Sequence, residues 1–214
     1  TQNLRIVDKE ITPEDSDVTE NFTIPVSKTT GFSDDNVANV YYSGNTTYGS
    51  YYSWFAATAS TGKASTSNTD AKSSICPKNW KLPTWTDFTS LNSNGYSKRG
   101  IWEANSTTSG YWIGSSTDDG IGGAFWPAAG TYSPNASKEV GINGLYWSKT
   151  ATANTSYAYN FGFGVNNRPS LDNFYYGKSN GLTVRCVADS YEEVLPEIDK
   201  KNVWSFNTLF NIEY

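Results

Sequence analysis

Few side chains in this 214-residue chain could carry out catalysis. The sequence contains no histidine, which removes the commonest general base, a common zinc ligand and the Ser-His-Asp arrangement. Asp87 and Glu103 are carboxylates, but no spacing marks an acid–base couple. The turn at Asp118 and Asp119 offers oxygen ligands that suit calcium, although a plain polar turn is the commoner structure for such a sequence. We therefore predict a protein that is not an enzyme and has no cofactor, with calcium at Asp118 and Asp119 as the one candidate.

The chain has two cysteines, Cys76 and Cys186. An even count in a sequence rich in Thr, Asn and Gly favours a disulfide formed outside the cytoplasm, and two buried free thiols are the alternative. A bridge would close a loop of more than one hundred residues and stabilise the fold by about 4 to 5 kcal/mol in the chain-entropy model. A disulfide would also leave no thiol to act as a nucleophile.

The charge pattern excludes one class of partner. The net charge is −5, and the 16 basic residues are scattered along the sequence. Nucleic-acid binding needs a basic stripe that displaces counterions, so we exclude nucleic acid. No segment approaches the roughly 18 to 20 apolar residues of a membrane span, and we expect no direct membrane insertion.

Residue types that suit ligand binding are concentrated in VNNRPSLDNFYYGKSN, residues 165–180. Tyr supplies rigid amphipathic area, Asn and Ser form adaptable hydrogen bonds, and Arg anchors interfaces. In the alternative, Phe174 and one tyrosine only pack this loop down, while the amides are solvated. We predict a ligand-binding loop composed of Asn166, Asn167, Arg168, Asp172, Asn173, Tyr175 and Tyr176.

Trp126, in the segment GGAFWPAAG, is a second candidate for ligand binding. A buried indole is the equally weighted alternative, because the ring is mostly apolar and its N–H group needs only one acceptor. The sequence does not separate the two.

The strand that precedes the loop has the sharpest periodicity in the chain. In SYAYNFGFG, residues 156–164, Tyr157, Tyr159, Phe161 and Phe163 alternate with small residues. Alternation with period two places the four aromatic rings on one face of a strand. We predict that this face is buried and that the small face allows another element or a ligand to approach closely. The segment GLTVRCVAD, residues 181–189, then predicts a core strand.

A short helix is predicted from Thr84 onward. Thr84 and Asp87 have the spacing of an N-cap and its N3 partner, with Asp in place of the usual Glu. Trp85, Phe88 and Leu91 recur on one helical face, and an Asn-Gly pair supplies a stop signal.

The chain divides into three parts. Residues 1–37 are acidic and polar, which predicts a linker with a short edge strand near Phe22. Residues 38–190 form the main domain. Residues 191–214 predict a charged linker followed by an amphipathic strand in which apolar and polar side chains alternate. Because the chain starts at Thr1 and lacks methionine, we expect a processed product or a fragment.

Three segments together resemble a known family. They are ICPKNWKLPTWTDFTSL, GLYWSKTATANTSYAYNFGF and NGLTVRCVAD, and the resemblance extends over residues 48–189. In their order and motifs they are similar to the Fibrobacter-type major paralogous domain, a bacterial surface module. That family is related in fold to C-type lectin-like domains and to the formylglycine-generating-enzyme group. The resemblance implies an α+β fold of the C-type lectin-like type, with small twisted antiparallel sheets, one or two short helices and long loops.

The resemblance also implies roles for individual residues. Cys76 and Cys186 fall on the cysteine positions of the family, which implies a disulfide between them. C-type lectins bind sugars through calcium held by EPN or QPD motifs with a WND triplet, and this sequence contains none of these. Calcium-dependent sugar binding is therefore not expected, while calcium-free glycan binding remains open. The positions with implied structural roles are Trp80, Leu82, Pro83, Trp147 and Ser148.

These observations favour a non-enzymatic, extracellular binding module of a bacterial surface protein or adhesin, which contacts a protein or glycan on a cell surface. The alternative is a structural or receptor-binding subunit of a fimbria or phage virion, assembled through its terminal strands. Some relatives of this kind are diversified by retroelements, including phage receptor-binding proteins. The segment 144–189 would be the diversified region in that case.

Overall fold

The computed structural model describes residues 3–5, 10–24, 48–64, 67–92, 95–114, 123–133, 136–167, 169–170 and 175–188. Over these residues the chain has a mixed α+β fold, as predicted, in which small sheets predominate over two short α-helices. Several predicted features lie outside the described residues, namely Asp118, Asp119, Arg168, Asp172, Asn173 and the segment 191–214.

The α-helices are α1 (Trp54–Ala57) and α2 (Trp85–Asn92), and a 3₁₀-helix at Thr61–Ala64 lies between them. The first seven strands are β1 (Glu10–Ile11), β2 (Phe22–Thr23), β3 (Tyr51–Tyr52), β4 (Trp80–Lys81), β5 (Tyr96–Arg99), β6 (Gly110–Gly114) and β7 (Gly123–Pro127). The next seven are β8 (Thr131–Ser133), β9 (Ala136–Lys138), β10 (Asn143–Ala151), β11 (Tyr157–Gly164), β12 (Tyr175–Gly177), β13 (Leu182–Thr183) and β14 (Val187–Ala188).

A five-stranded sheet lies at the centre of the fold, in the order β12-β11-β10-β13-β3. Its two longest strands, β10 and β11, are antiparallel, with Tyr146 opposite Phe161. β13 runs parallel to β10, and the edge strands β3 and β12 pair antiparallel with their neighbours. The other strands form small antiparallel sheets, namely β5-β6-β7, β4-β14, β8-β9 and β1-β2.

One face of the central sheet packs against α1. Trp147 of β10 and Leu182 of β13 join Trp54 of α1 in a first core cluster. The indole N–H of Trp54 donates to the Ser148 carbonyl (2.7 Å), and that of Trp147 donates to the Tyr52 carbonyl (2.7 Å). A buried N–H without an acceptor would cost about 1 to 3 kcal/mol, so these bonds allow two large rings to be buried between α1 and the sheet.

The opposite face carries a second core cluster. Phe161 and Phe163 of β11 lie there with Phe88 of α2 and Tyr111 and Trp126 of the β5-β6-β7 sheet. The Phe88 and Phe161 rings are stacked with their centroids 5.1 Å apart. β11 is therefore covered on both faces along its second half.

The first half of β11 differs from the prediction. Tyr157 is 37% exposed and Tyr159 is half-buried. The second core cluster includes β11 residues only from Phe161 onward, and at Tyr159 the cover comes from Trp85, the first residue of α2. The small face is not open either. Ala158 and Asn160 on that face are fully buried. Other parts of the protein therefore cover this face, and a ligand cannot reach it.

The predicted start of α2 is confirmed. The Asp87 N–H donates to Thr84 Oγ1 (3.1 Å), and the Thr84 N–H donates to Asp87 Oδ2 (2.9 Å), which is the reciprocal arrangement of a capping box. The helix ends at Asn92, and Gly95 follows with a φ of +86°, in the left-handed region that favours glycine. Within the described part of the chain, no helix has the length and apolar composition to cross a membrane.

A disulfide between Cys76 and Cys186 is present. It joins the segment before β4 to the residue before β14, and these two strands pair with each other. The cysteines are separated by 110 positions, so the bridge restricts a long loop in the unfolded chain.

The N-terminal segment differs from the predicted linker over its described residues. Ile11, Val18 and Ile24 are buried in the first core cluster. The Leu4 N–H donates to the carbonyl of Val184, the residue after β13 (2.8 Å), which ties this segment to the central sheet. These few apolar residues are widely spaced in an acidic sequence, and their burial offsets the cost of ordering the segment. The boundary between residues 37 and 38 stays a prediction.

Candidate functional site

The predicted binding residues divide into two groups along β11. Asn166 and Asn167 are exposed in the turn after β11, where Gly164 and Asn167 exchange backbone hydrogen bonds of 2.9 and 3.2 Å. Tyr175 lies in β12, directly opposite Tyr159. Gly164 is five positions along β11 from Tyr159, a distance of about 16 Å at the usual rise per residue. The asparagines and Tyr175 are therefore not in one compact site.

Tyr175 and Tyr176 point to opposite faces of β12. Tyr175 is 53% exposed. Tyr176 lies opposite Ala158 and packs against the first core cluster. One tyrosine of the pair therefore holds the loop against the core, and the other presents its ring to solvent.

Trp126 is buried, with 3% of its surface exposed, which agrees with the buried-indole alternative. Its ring packs edge-on against Tyr146 and Phe161, with centroids 4.7 and 5.5 Å apart. The Arg185 guanidinium lies 4.5 Å from the ring centroid and donates to the Phe125 carbonyl (2.6 Å). Burial lowers the pKa of Arg185 from its usual value. The cation and the indole thus form part of the core between the two sheets.

A shallow cavity of about 340 Å³ lies beside Trp126, between α2 and the β4-β14 pair. An ion pair between Lys81 and Asp87, 3.6 Å long, lies at its edge. The indole N–H of Trp126 has no acceptor within the described residues, but this nitrogen is itself shielded from solvent. The cavity therefore exposes little of Trp126 to a ligand. Its apolar lining comprises Pro83, Phe88, Leu91, Trp126, Val187 and Ala188.

Four rings form what we call the aromatic surface: Trp85, Tyr157, Tyr159 and Tyr175. The Tyr157 and Tyr175 rings are perpendicular, with centroids 5.4 Å apart. The Trp85 and Tyr159 rings lie closer, with centroids 4.4 Å apart and an interplanar angle of 30°. The Tyr159 hydroxyl donates to Asn68 Oδ1 (3.0 Å). Two half-buried rings thus lie beside two rings that are 37% and 53% exposed.

The strand register builds this surface. Tyr159 and Tyr175 are directly opposite in the β11-β12 pair, so their side chains share a face. Tyr157 shares that face by alternation, and Gly177 lies opposite it. Because Gly177 has no side chain, Tyr175 can lean diagonally onto Tyr157. The edge strand β12 therefore presents aromatic rings where the covering layer of α2 ends.

Trp85 is fixed by the start of α2. As the first residue of that helix it follows the capping residue Thr84. Its backbone N–H donates to Thr150 Oγ1 (2.9 Å), and the Thr150 hydroxyl donates to Asp70 Oδ1. These bonds hold Trp85 over Tyr159 without using the indole ring. The backbone of Trp85 is thus fixed by a hydrogen bond to the Thr150 side chain of β10.

Neutral polar groups lie beside the Tyr157 end of the aromatic surface. Asn154, Thr155 and Ser156 are exposed in the turn that leads into Tyr157. This turn is ordered by its own bonds, since the Ser156 N–H donates to Asn154 Oδ1 (3.0 Å) and the Thr152 hydroxyl donates to the Asn154 carbonyl (2.8 Å). A ligand at the rings would therefore meet hydroxyl and amide groups.

The sequence did not identify Trp85, Tyr157 or Tyr159 as site residues. Alternation assigned both tyrosines to the core, and the helical pattern assigned Trp85 to the buried face of α2. One signal does favour exposure at Tyr157. The polar turn Asn154 to Ser156 marks the start of the strand, and a terminal strand position is the first to extend beyond a covering helix.

No cluster of three or more metal-ligating side chains occurs within the described ranges. Tyr146 has a pKa raised by burial, and its hydroxyl donates to the Pro127 carbonyl (2.6 Å). This tyrosine is fully buried, so its altered pKa belongs to the core. Comparisons with family models, with curated proteins and with solved structures found no match to this chain.

Proposed function

We propose that this chain is a non-enzymatic binding module that recognises its ligand through the aromatic surface. The observation that carries the proposal is the exposure of Tyr157 and Tyr175 on the strand face that also carries Tyr159, on which Trp85 packs. Exposed large rings are common singly, but a cluster of them on one face is typical of interaction sites. Tyrosine is well suited to this role because it offers apolar area and a hydroxyl with little conformational entropy to lose.

We also propose membership of the Fibrobacter-type family and a C-type lectin-like fold. The disulfide at the two family cysteine positions supports this, as does the complete burial of Leu82, Trp147 and Ser148. The adjacency of Leu4 and Val184 is in keeping with a fold whose first and last elements meet. Trp80 departs from a purely structural role, since it is 40% exposed.

The proposed location is the cell exterior, in a bacterial surface protein or adhesin. The disulfide supports it, because such bridges persist in oxidising compartments. The proposed partner is a glycan or protein on a cell surface. Asn166 and Asn167 would contact an extended ligand at the far end of β11, and Arg168, Asp172 and Asn173 stay predictions.

The experiment is a screen against arrays of glycans and cell-surface proteins. The wild-type chain is compared with the double variant Tyr157→Ala/Tyr175→Ala. Tyr96→Ala is a matched control, because Tyr96 lies in β5 and is 37% exposed, the same fraction as Tyr157. We expect the double variant to lose the binding that the wild type and the control show. Equal binding by all three proteins would refute the proposed site.

A further inference from the structure

We infer that the aromatic surface binds a neutral glycan, whose sugar rings lie against Tyr157 and Tyr175. This inference rests on the proposed function and specifies its ligand. It follows from three properties of the surface: the charge of its surroundings, the placement of the rings and the hydrogen-bonding groups beside them.

The first property is charge. Within the described residues, the ring contacts and the hydrogen bond of the four aromatic side chains involve neutral groups only. Two carboxylates lie near the Trp85 end of the surface. Asp87 is paired with Lys81, and Asp70 accepts the Thr150 hydroxyl. An acidic glycan would meet no cation at these contacts and would approach Asp70, so a neutral ligand is favoured.

The second property is the geometry of the rings. The face of an aromatic ring is electron-rich and its edge is electron-poor. The C–H groups on the flat side of a pyranose ring are weakly positive, so they pack favourably on an aromatic face. Because the Tyr157 and Tyr175 rings are perpendicular, they form a corner that contacts a sugar ring on its face and at its edge.

The third property is the supply of hydrogen-bonding groups. A sugar has hydroxyl groups around the rim of its ring, and these need partners when the ring is desolvated. The exposed turn from Asn154 to Ser156 supplies an amide and two hydroxyls directly beside Tyr157. The phenol groups of Tyr157 and Tyr175 add two more. The surface therefore offers apolar contact to the face of a sugar ring and hydrogen-bonding groups to the hydroxyls around its edge.

The described surface fits a glycan better than a protein. Protein interfaces bury about 800 Å² on each partner, involve 20 to 30 residues a side, and are enriched in Arg. Here four rings and a short turn form a narrow strip without an arginine among the described residues. A strip of this kind matches a chain of sugar units.

The test measures binding of the full chain to soluble neutral polysaccharides, including a glucan, a mannan and a galactan, by retardation in affinity gels. Alginate serves as the acidic polysaccharide, and each run is made with and without EDTA. We expect retardation by at least one neutral polysaccharide and none by alginate. The apparent Kd should change less than about twofold between roughly 0.05 and 0.5 M NaCl, because salt screens only charge interactions. EDTA should have no effect.

Variants separate the ring contact from a general loss of structure. Tyr175→Ala should weaken binding at least tenfold, whereas Tyr175→Phe, which keeps the ring, should weaken it less than about threefold. Binding of alginate alone, or binding lost in EDTA, would overturn the neutral-glycan inference. Protein binding that requires Tyr157 and Tyr175, without any polysaccharide binding, would overturn the inference and leave the proposed function standing. Polysaccharide binding unchanged by Tyr175→Ala would overturn both.

Discussion

Tyr175 and Tyr176 are adjacent in sequence and have opposite roles. Strand alternation places Tyr175 on the exposed face with Tyr157 and places Tyr176 against the first core cluster. The sequence could show that the loop contains two tyrosines, but it could not show which one faces the core. That choice depends on the register of β12 against β11.

The two tyrosines therefore give a paired prediction. Tyr176→Ala should lower the free energy of unfolding by about 1 to 3 kcal/mol, because it removes a partly buried ring from the core. Tyr175→Ala should change that free energy by less than about 0.5 kcal/mol, because its ring is mostly exposed. Denaturant unfolding measures both values. An equal loss of stability in the two variants would show that the assignment of faces is wrong.

Trp147 gives a second prediction at the residue scale. Its indole N–H donates to the Tyr52 carbonyl within the first core cluster. Trp147→Phe removes that donor and leaves a cavity, so we expect a loss of about 2 to 4 kcal/mol in unfolding free energy. A thermal scan of the variant at neutral pH checks this. A melting temperature equal to that of the wild type would contradict the buried role.

At the scale of elements, α2 links the core to the aromatic surface. Phe88 of α2 packs on Phe161, while Trp85 at its first position packs on Tyr159. The capping box at Thr84 and Asp87 fixes the start of the helix and therefore the position of the Trp85 ring.

The capping box can be tested directly. Thr84→Ala removes the acceptor for the Asp87 N–H, and we expect a loss of about 1 kcal/mol in unfolding free energy. Thr84→Ser keeps the hydroxyl and should restore most of that loss. Ligand binding should weaken in Thr84→Ala to a smaller extent than in Tyr175→Ala, since the exposed rings remain. Equal unfolding free energies for Thr84→Ala and Thr84→Ser would show that the capping hydroxyl does not stabilise the fold.

Elements with local signals could be predicted from the sequence. The start of α2 follows from two side chains three residues apart, and the two faces of β11 follow from alternation. The extent of burial along β11 could not be predicted, because it depends on where a layer distant in sequence ends. The packing of residues 10–24 was also missed, since Ile11, Val18 and Ile24 are too widely spaced to show a periodicity.

For the whole molecule, the disulfide is a covalent constraint within the first core cluster, to which Cys76 belongs and against which Cys186 packs. It closes the chain across 110 positions and joins segments whose strands pair. We expect Cys76→Ser/Cys186→Ser to lower the unfolding free energy by about 4 to 5 kcal/mol in the chain-entropy model. Guanidinium unfolding of the variant and of the oxidised wild type gives this difference. A difference in unfolding free energy below about 1 kcal/mol would contradict the claim that the disulfide stabilises the fold.

The tail distinguishes a binding module from an assembly subunit. If the described domain is the binding unit, deletion of residues 197–214 should leave a folded protein whose affinity for its ligand is within about twofold of the full chain. Loss of self-assembly in the deleted chain, with no ligand bound by either form, would favour a fimbrial or virion subunit. Light scattering and the gel assay supply the two readouts.

The central claim is that the ligand contacts Tyr157 and Tyr175. The most direct measurement is fluorine NMR of the chain with fluorotyrosine at every tyrosine position. Single Tyr→Phe variants assign the resonances. The ligand found by the polysaccharide or array screen is then added, and the spectrum is recorded at each concentration. The resonances of Tyr157 and Tyr175 should shift with the ligand concentration, while that of the equally exposed Tyr96 should stay in place. A spectrum in which Tyr157 and Tyr175 do not move at saturating ligand would contradict the claim.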